Sequence, residues 1–88
     1  MHEVSVIQSL LDQVQRCSEE YGLVRVTKVI VRIGDQVGIC HDSLRFAFEA
    51  CSPGTVAESA EFIIENIAGR ALDLQTIEGD QEETVDEN

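Results

Sequence analysis

The stretch VRVTKVIVRI, residues 24–33, determines the fold because β-branched residues dominate it. Four of its last five residues are aliphatic and β-branched, interrupted only by Arg32. Such a run is typical of a strand that is covered on much of both faces. Gly34 and Gly38 follow and indicate a turn. The sequence therefore predicts one buried strand, and its flanking elements define the fold class.

Helical patterns lie on both sides of this strand. From Glu3 to about Tyr21, apolar residues recur at the spacing of a helix with one buried stripe, at Val4, Ile7, Leu10, Leu11, Val14 and Cys17. Gly22 is predicted to end this helix. Asp42 is the predicted N-cap of a second, shorter helix, and the Pro-Gly pair at 53–54 follows it as a stop signal.

Two half-buried strands are predicted toward the C-terminus, because apolar and polar residues alternate around residues 61–65 and again around residues 71–75. The residues between them, 66–70, contain an Ala-Gly pair and predict a tight hairpin turn. The element order is helix, strand, helix, strand, strand. It predicts an α+β fold in which two helices pack on one face of a three-stranded sheet, with a crossover helix first and an antiparallel hairpin last.

Length and charge limit the organisation and the partners. A chain of 88 residues suits one domain, which is predicted to span residues 1–78. Residues 79–88 carry several acids and no basic residue, and are predicted to form a disordered acidic tail. Seventeen acidic residues against six basic ones give a net charge of -11, which repels nucleic acid and anionic membrane surfaces.

The three cysteines indicate a reduced compartment, because none forms the C-x-x-C spacing of a zinc or redox motif. Cys17 and Cys51 lie on the apolar helical stripes and are predicted to be core residues. Cys40 beside His41 is either a soft metal pair or, as we expect, a buried thiol next to a surface imidazole.

No signal sequence or membrane-length apolar stretch is present, so a cytoplasmic location is expected. No catalytic spacing is found either, which predicts that the protein is not an enzyme.

Met1 and His2 carry the donor atoms of a candidate metal site. The α-amino nitrogen of Met1, the backbone nitrogen of His2 and the imidazole Nδ1 allow one ion to close two adjacent chelate rings. Ni(II) and Cu(II) favour tetragonal nitrogen sites, whereas Zn(II) prefers a tetrahedron. These atoms would bind copper more tightly than nickel, so selection of nickel depends on metal availability or on a partner.

Glu3 follows these donors, and its carboxylate offsets the repulsion between a bound cation and the positive end of the first helix dipole. The fourth ligand stays open: the backbone nitrogen of Glu3, water, the side chain of His41 or Cys40, or a group from a partner. A histidine at the second position is most often a plain surface residue, so this pattern alone does not establish a metal site.

Four segments together resemble the hydrogenase and urease nickel-incorporation metallochaperones of the HypA/HybF family: MHEVS at 1–5, RIGD at 32–35, LRFAFE at 44–49 and GTVAESA at 54–60. The resemblance runs to about residue 67 and resumes weakly in the last strand. It implies that Met1, His2 and Glu3 bind nickel, with the imidazole as the key ligand. It also implies delivery to a [NiFe]-hydrogenase large subunit, or to urease, together with a maturation GTPase.

The chain departs from this family between the last two strands. Family members carry a zinc-binding segment with two C-x-x-C pairs there, and this chain has only residues 66–70. We therefore expect Ni(II) as the bound metal and no zinc. The alternative interpretation is a metal-free acidic adaptor that retains the fold and binds other proteins.

Overall fold

The computed structural model of the chain describes residues 2–82. It contains two helices and three strands in the predicted order: α1 Glu3–Tyr21, β1 Leu23–Gly34, α2 His41–Cys51, β2 Glu61–Ile67 and β3 Leu72–Gln81. The predicted α+β fold class is confirmed. None of the helices within residues 2–82 is long and apolar enough to cross a membrane.

Helix α1 has the predicted bounds. It ends at Gly22, whose φ of 69° is the left-handed conformation that glycine adopts without a Cβ penalty. Its buried stripe consists of Ile7, Leu10, Val14 and Ser18. The prediction that Cys17 is a core residue is wrong: Cys17 is only half-buried. Ser18 is tolerated inside because its hydroxyl donates to the carbonyl of Gln15 at 2.8 Å.

Strand β1 occupies the centre of the sheet, whose strand order is β2–β1–β3. It pairs in parallel with β2 and antiparallel with β3. The predicted hairpin between β2 and β3 is therefore wrong, because these strands are the two edges of the sheet. The edge strands β2 and β3 are two strand spacings apart, about 10 Å. The four residues 68–71 can span this distance when they are extended.

Asp35 holds that connection against the end of β1. The Asp35 backbone N–H donates to the carbonyl of Ile67 at 2.8 Å, and its carboxylate accepts from the N–H of Gly69 at 2.9 Å. The Gln36 N–H donates to the Gly69 carbonyl at 2.8 Å. These hydrogen bonds hold the connection in place, whereas in a hairpin the backbone hydrogen bonds between β2 and β3 would have done so.

Both helices pack on one face of the sheet, as predicted. The core between them contains Ile7, Leu10, Val14, Val26, Val29, Val31, Ile33, Leu44, Ala47, Phe48, Ala57 and Phe62. The rings of Phe48 and Phe62 stack with centroids 4.5 Å apart and join α2 to β2.

The outer face of β1 is less covered than predicted. Lys28, Ile30 and Arg32 lie half-buried among neighbouring side chains, because both helices of residues 2–82 pack on the opposite face. The Nε of Arg32 donates to the Asp73 carboxylate at 3.3 Å across the strand pair.

Two further boundaries differ from prediction. The N-cap of α2 is Cys40 and not Asp42, which lies in the first helical turn. Strand β3 continues to Gln81, three residues beyond the predicted domain boundary, because Gln81 pairs with Leu23 and Asp80 pairs with Arg25. Met1 and the remainder of the predicted tail, residues 83–88, lie outside the described residues.

Candidate metal-binding end of the molecule

His2 is the residue that precedes α1. Its backbone is extended, with φ −87° and ψ 125°, and its side chain is exposed. Its carbonyl accepts the first helical hydrogen bond, from Val6 N–H at 3.1 Å. An α-helix leaves its first N–H groups without intrahelical acceptors, so the backbone nitrogens of His2 and Glu3 are not committed to the helix. Metal coordination there would disrupt no helical hydrogen bond.

Glu3 lies half-buried in the first turn of α1, beside the beginning of α2. It lines one surface groove together with Val4 of α1 and with Asp42 and Ser43 of α2. The N-terminal ends of both helices thus meet at one end of the molecule, where two positive helix-dipole ends face two carboxylates.

Cys40 and His41 lie at this same end, at the start of α2. Cys40 is exposed and His41 is half-buried, so the predicted buried thiol beside a surface imidazole is wrong. The pKa of the Cys40 thiol is lowered, chiefly by the Ser43 hydroxyl and then by the backbone N–H groups of Ser43 and Asp42. A thiol with a lowered pKa carries a larger thiolate fraction at neutral pH.

Side chains alone do not assemble a metal site in the described part of the chain. Within residues 2–82, no group of three or more His, Cys, Asp or Glu side chains could hold an ion. Cys51 is half-buried and packs against the hydrophobic core, so its predicted place is confirmed in part.

The family described as hydrogenase/urease nickel incorporation, metallochaperone, HypA matches residues 1–75 of the chain. The chain belongs to the HypA family. This confirms the resemblance drawn from the four sequence segments. The segments at 1–5 and 44–49 both contribute residues to the groove at the helix N-termini.

Curated HypA proteins match most of this chain but are longer than it. The hydrogenase maturation factor HypA of Streptomyces avermitilis is 39% identical over 72 residues, which are 81% of this chain and 55% of that protein. HypA of Geobacter metallireducens is 41% identical over 70 residues, 80% of this chain and 61% of that protein. HypA of Chlorobium limicola is 43% identical over 72 residues, 82% of this chain and 62% of that protein. The chain thus spans little more than half the length of these relatives.

Two solved structures share the fold. The solution structure of the Ni metallochaperone HypA from Helicobacter pylori has a TM-score of 0.82 at 17% identity, and the match covers 93% of this chain and 100% of that chain. A second solution structure, of a HypA protein, has a TM-score of 0.61 at 20% identity over 98% of this chain and 73% of that one.

The structure also brings together residues that sequence reasoning did not connect. Val4 belongs to the stripe of α1, and Phe46 was noted only as part of a family segment. Both side chains are exposed and line the same groove. Leu44 and Ala47 lie on the side of α2 that is turned toward the core. Phe46 is not on that side, and its side chain is therefore strongly exposed.

Proposed function

We propose that this chain is the nickel-binding part of a metallochaperone. It takes up one Ni(II) ion and delivers it to a [NiFe]-hydrogenase large subunit, or to urease, together with a maturation GTPase, in the cytoplasm. The observation that carries the proposal is the extended, exposed His2 ahead of α1, whose backbone nitrogen lies outside the helical hydrogen-bond network.

The proposed ligands are the Met1 amine, the His2 backbone nitrogen and the His2 imidazole Nδ1. Three nitrogens in one plane suit the tetragonal preference of Ni(II), which also displaces the amide proton. The Glu3 carboxylate balances the charge of the ion close to the helix N-terminus. The fourth position is left to the Glu3 backbone nitrogen, water, a side chain from Cys40 or His41, or a partner.

The cargo must be held and also released, and an open terminal site suits this requirement. An ion held by the exposed His2 can be approached directly by donor atoms of the recipient. The fourth ligand is then exchanged before the three nitrogens are lost. In this function the protein transfers a metal ion and catalyses no reaction of its own.

Isothermal titration with Ni(II) tests the proposal. His2→Ala should lower the affinity by at least about a hundredfold, because the imidazole and its chelate ring are lost together. His41→Ala removes the other histidine, a candidate fourth ligand, and should lower the affinity much less because the three nitrogens of Met1 and His2 remain. The native chain should also turn yellow on titration, as square-planar Ni(II) does.

Equal affinity in the native chain and in His2→Ala would reject the nickel site at this terminus. If nickel binding is absent altogether and protein partners bind the native chain regardless of metal, the acidic adaptor is the correct interpretation. The net charge of -11 is the observation that favours such an adaptor.

A further inference from the structure

Phe46 is the most exposed large apolar side chain among residues 2–82, with 72% of its surface accessible. Val4 of α1 is 49% exposed and lines the same groove, which has a volume of about 390 Å³. Ala47 and Ala50 of α2 complete its apolar lining. We call this surface the Val4–Phe46 groove. Contiguous exposed apolar surface with a polar border is characteristic of interaction sites.

The border of the Val4–Phe46 groove is acidic. Glu3 and Asp42 line it, and no basic side chain does among the described residues. Arg45 is adjacent to Phe46 in sequence but points elsewhere, since its guanidinium donates to the carbonyl of Phe62 at 2.6 Å. A partner that fits this surface presents an apolar side chain flanked by lysine or arginine.

A second copy of the chain does not fit this description. A symmetric pair would place Glu3 and Asp42 near their own copies, and each chain already carries a net charge of -11. Like charges at a desolvated border oppose association. The charge pattern therefore favours a basic partner over self-association.

Glu3 connects the groove to the candidate nickel site, because it lines the groove and directly follows His2. A protein that accepts the ion must bring its own donor atoms to His2, and the Val4–Phe46 groove is the apolar surface beside that position. We infer that this groove docks the nickel recipient, the hydrogenase large subunit, through an apolar side chain with basic neighbours. The inference rests on the proposed function for the identity of the recipient.

Direct binding of the purified, nickel-free large-subunit precursor to the 88-residue chain tests this inference. Phe46→Glu should weaken binding by about tenfold or more, because it places a carboxylate in the apolar centre of the interface. Val24→Glu is the matched control, since Val24 is 57% exposed and lies beyond the far end of α1. A helix of 19 residues spans about 28 Å, so the control is remote from the groove.

The charge component is tested separately with Asp42→Lys. This variant should weaken binding and reduce its dependence on salt concentration, because a basic partner loses an attractive charge. Circular dichroism should show native folding for both groove variants, since neither residue is buried.

The outcomes separate the docking surface from the nickel site. Phe46→Glu should bind Ni(II) with native affinity while losing the precursor, and His2→Ala should show the reverse. The inference is overturned if Phe46→Glu binds the precursor as tightly as Val24→Glu does, or if the native chain does not bind the precursor. Either result leaves the nickel titration of the native chain as an independent test of the proposed function.

Discussion

The backbone of Gly34 runs directly against the carbonyl group of Gly69, so that a Cβ atom at position 34 would overlap that carbonyl. The N–H of Gly34 also donates to the carbonyl of Ala71 at 2.7 Å. The connection from β2 to β3 is therefore folded tightly onto the end of β1. Position 34 has to be glycine because of this close approach, and not because of its backbone conformation.

Gly34→Ala should destabilise the protein by about 2 kcal/mol, because the added methyl group forces the backbone at residues 69–70 to move. Gly54→Ala is the control, since Gly54 has φ 82° with open space around it. That variant should show only the conformational cost, about 1 kcal/mol. Urea denaturation followed by circular dichroism measures both. An equal or smaller loss for Gly34→Ala would contradict the close packing of this connection.

Extending the chain by one alanine before Met1 should abolish high-affinity Ni(II) binding, because the amine then lies one residue away from His2. Acetylation of the Met1 amine should have the same effect. Adding one alanine after Asn88 is the control and should leave the affinity unchanged. Titration calorimetry measures the affinities, and intact mass confirms each terminus. Retained binding in the extended chain would indicate a site made of side chains.

Arg45→Met should lower the free energy of unfolding by about 1 kcal/mol, because it removes a charged donor from the Phe62 carbonyl while keeping the alkyl stem. The contact is short, 2.6 Å, and partly buried, and it joins α2 to β2 beside the Phe48–Phe62 stack. Arg16→Met is the comparison, since Arg16 makes only an exposed 3.5 Å contact with Asp12. Thermal denaturation measures the loss of stability in each of the two variants. Similar losses in both variants would show that the Arg45 hydrogen bond contributes little.

Cys40 should be the fastest of the three cysteines to react with iodoacetamide at neutral pH. Its lowered pKa increases the thiolate fraction, and its side chain is exposed, whereas Cys17 and Cys51 are half-buried. Ser43→Ala should raise the pKa toward its ordinary value and slow the reaction, with the difference vanishing at alkaline pH where both thiols are ionised. Peptide mass spectrometry measures the rates. Ser5→Ala, on α1, is the control and should not change them.

The chemistry of the candidate site could be predicted from sequence because its proposed donors are consecutive. The chelate rings of Met1 and His2 depend on covalent connectivity, which any sequence shows. The groove between the helices is different: Glu3 and Asp42, and likewise Val4 and Phe46, line one groove only because of how α1 and α2 pack. Neither pair has a spacing in the sequence that could have revealed it.

Local patterns were sufficient for the elements themselves. The apolar stripe of α1, Gly22 at its end and the β-branched run of β1 specify helix and strand through steric preference and burial within a few residues. Strand order was decided only in the tertiary structure. A short connection such as 68–71 is compatible with a hairpin, but β1 buries more apolar surface in the centre of the sheet, and Gly34 leaves room for the chain to cross its end. Pairing between distant segments depends on this competition for burial, which no single stretch of sequence contains.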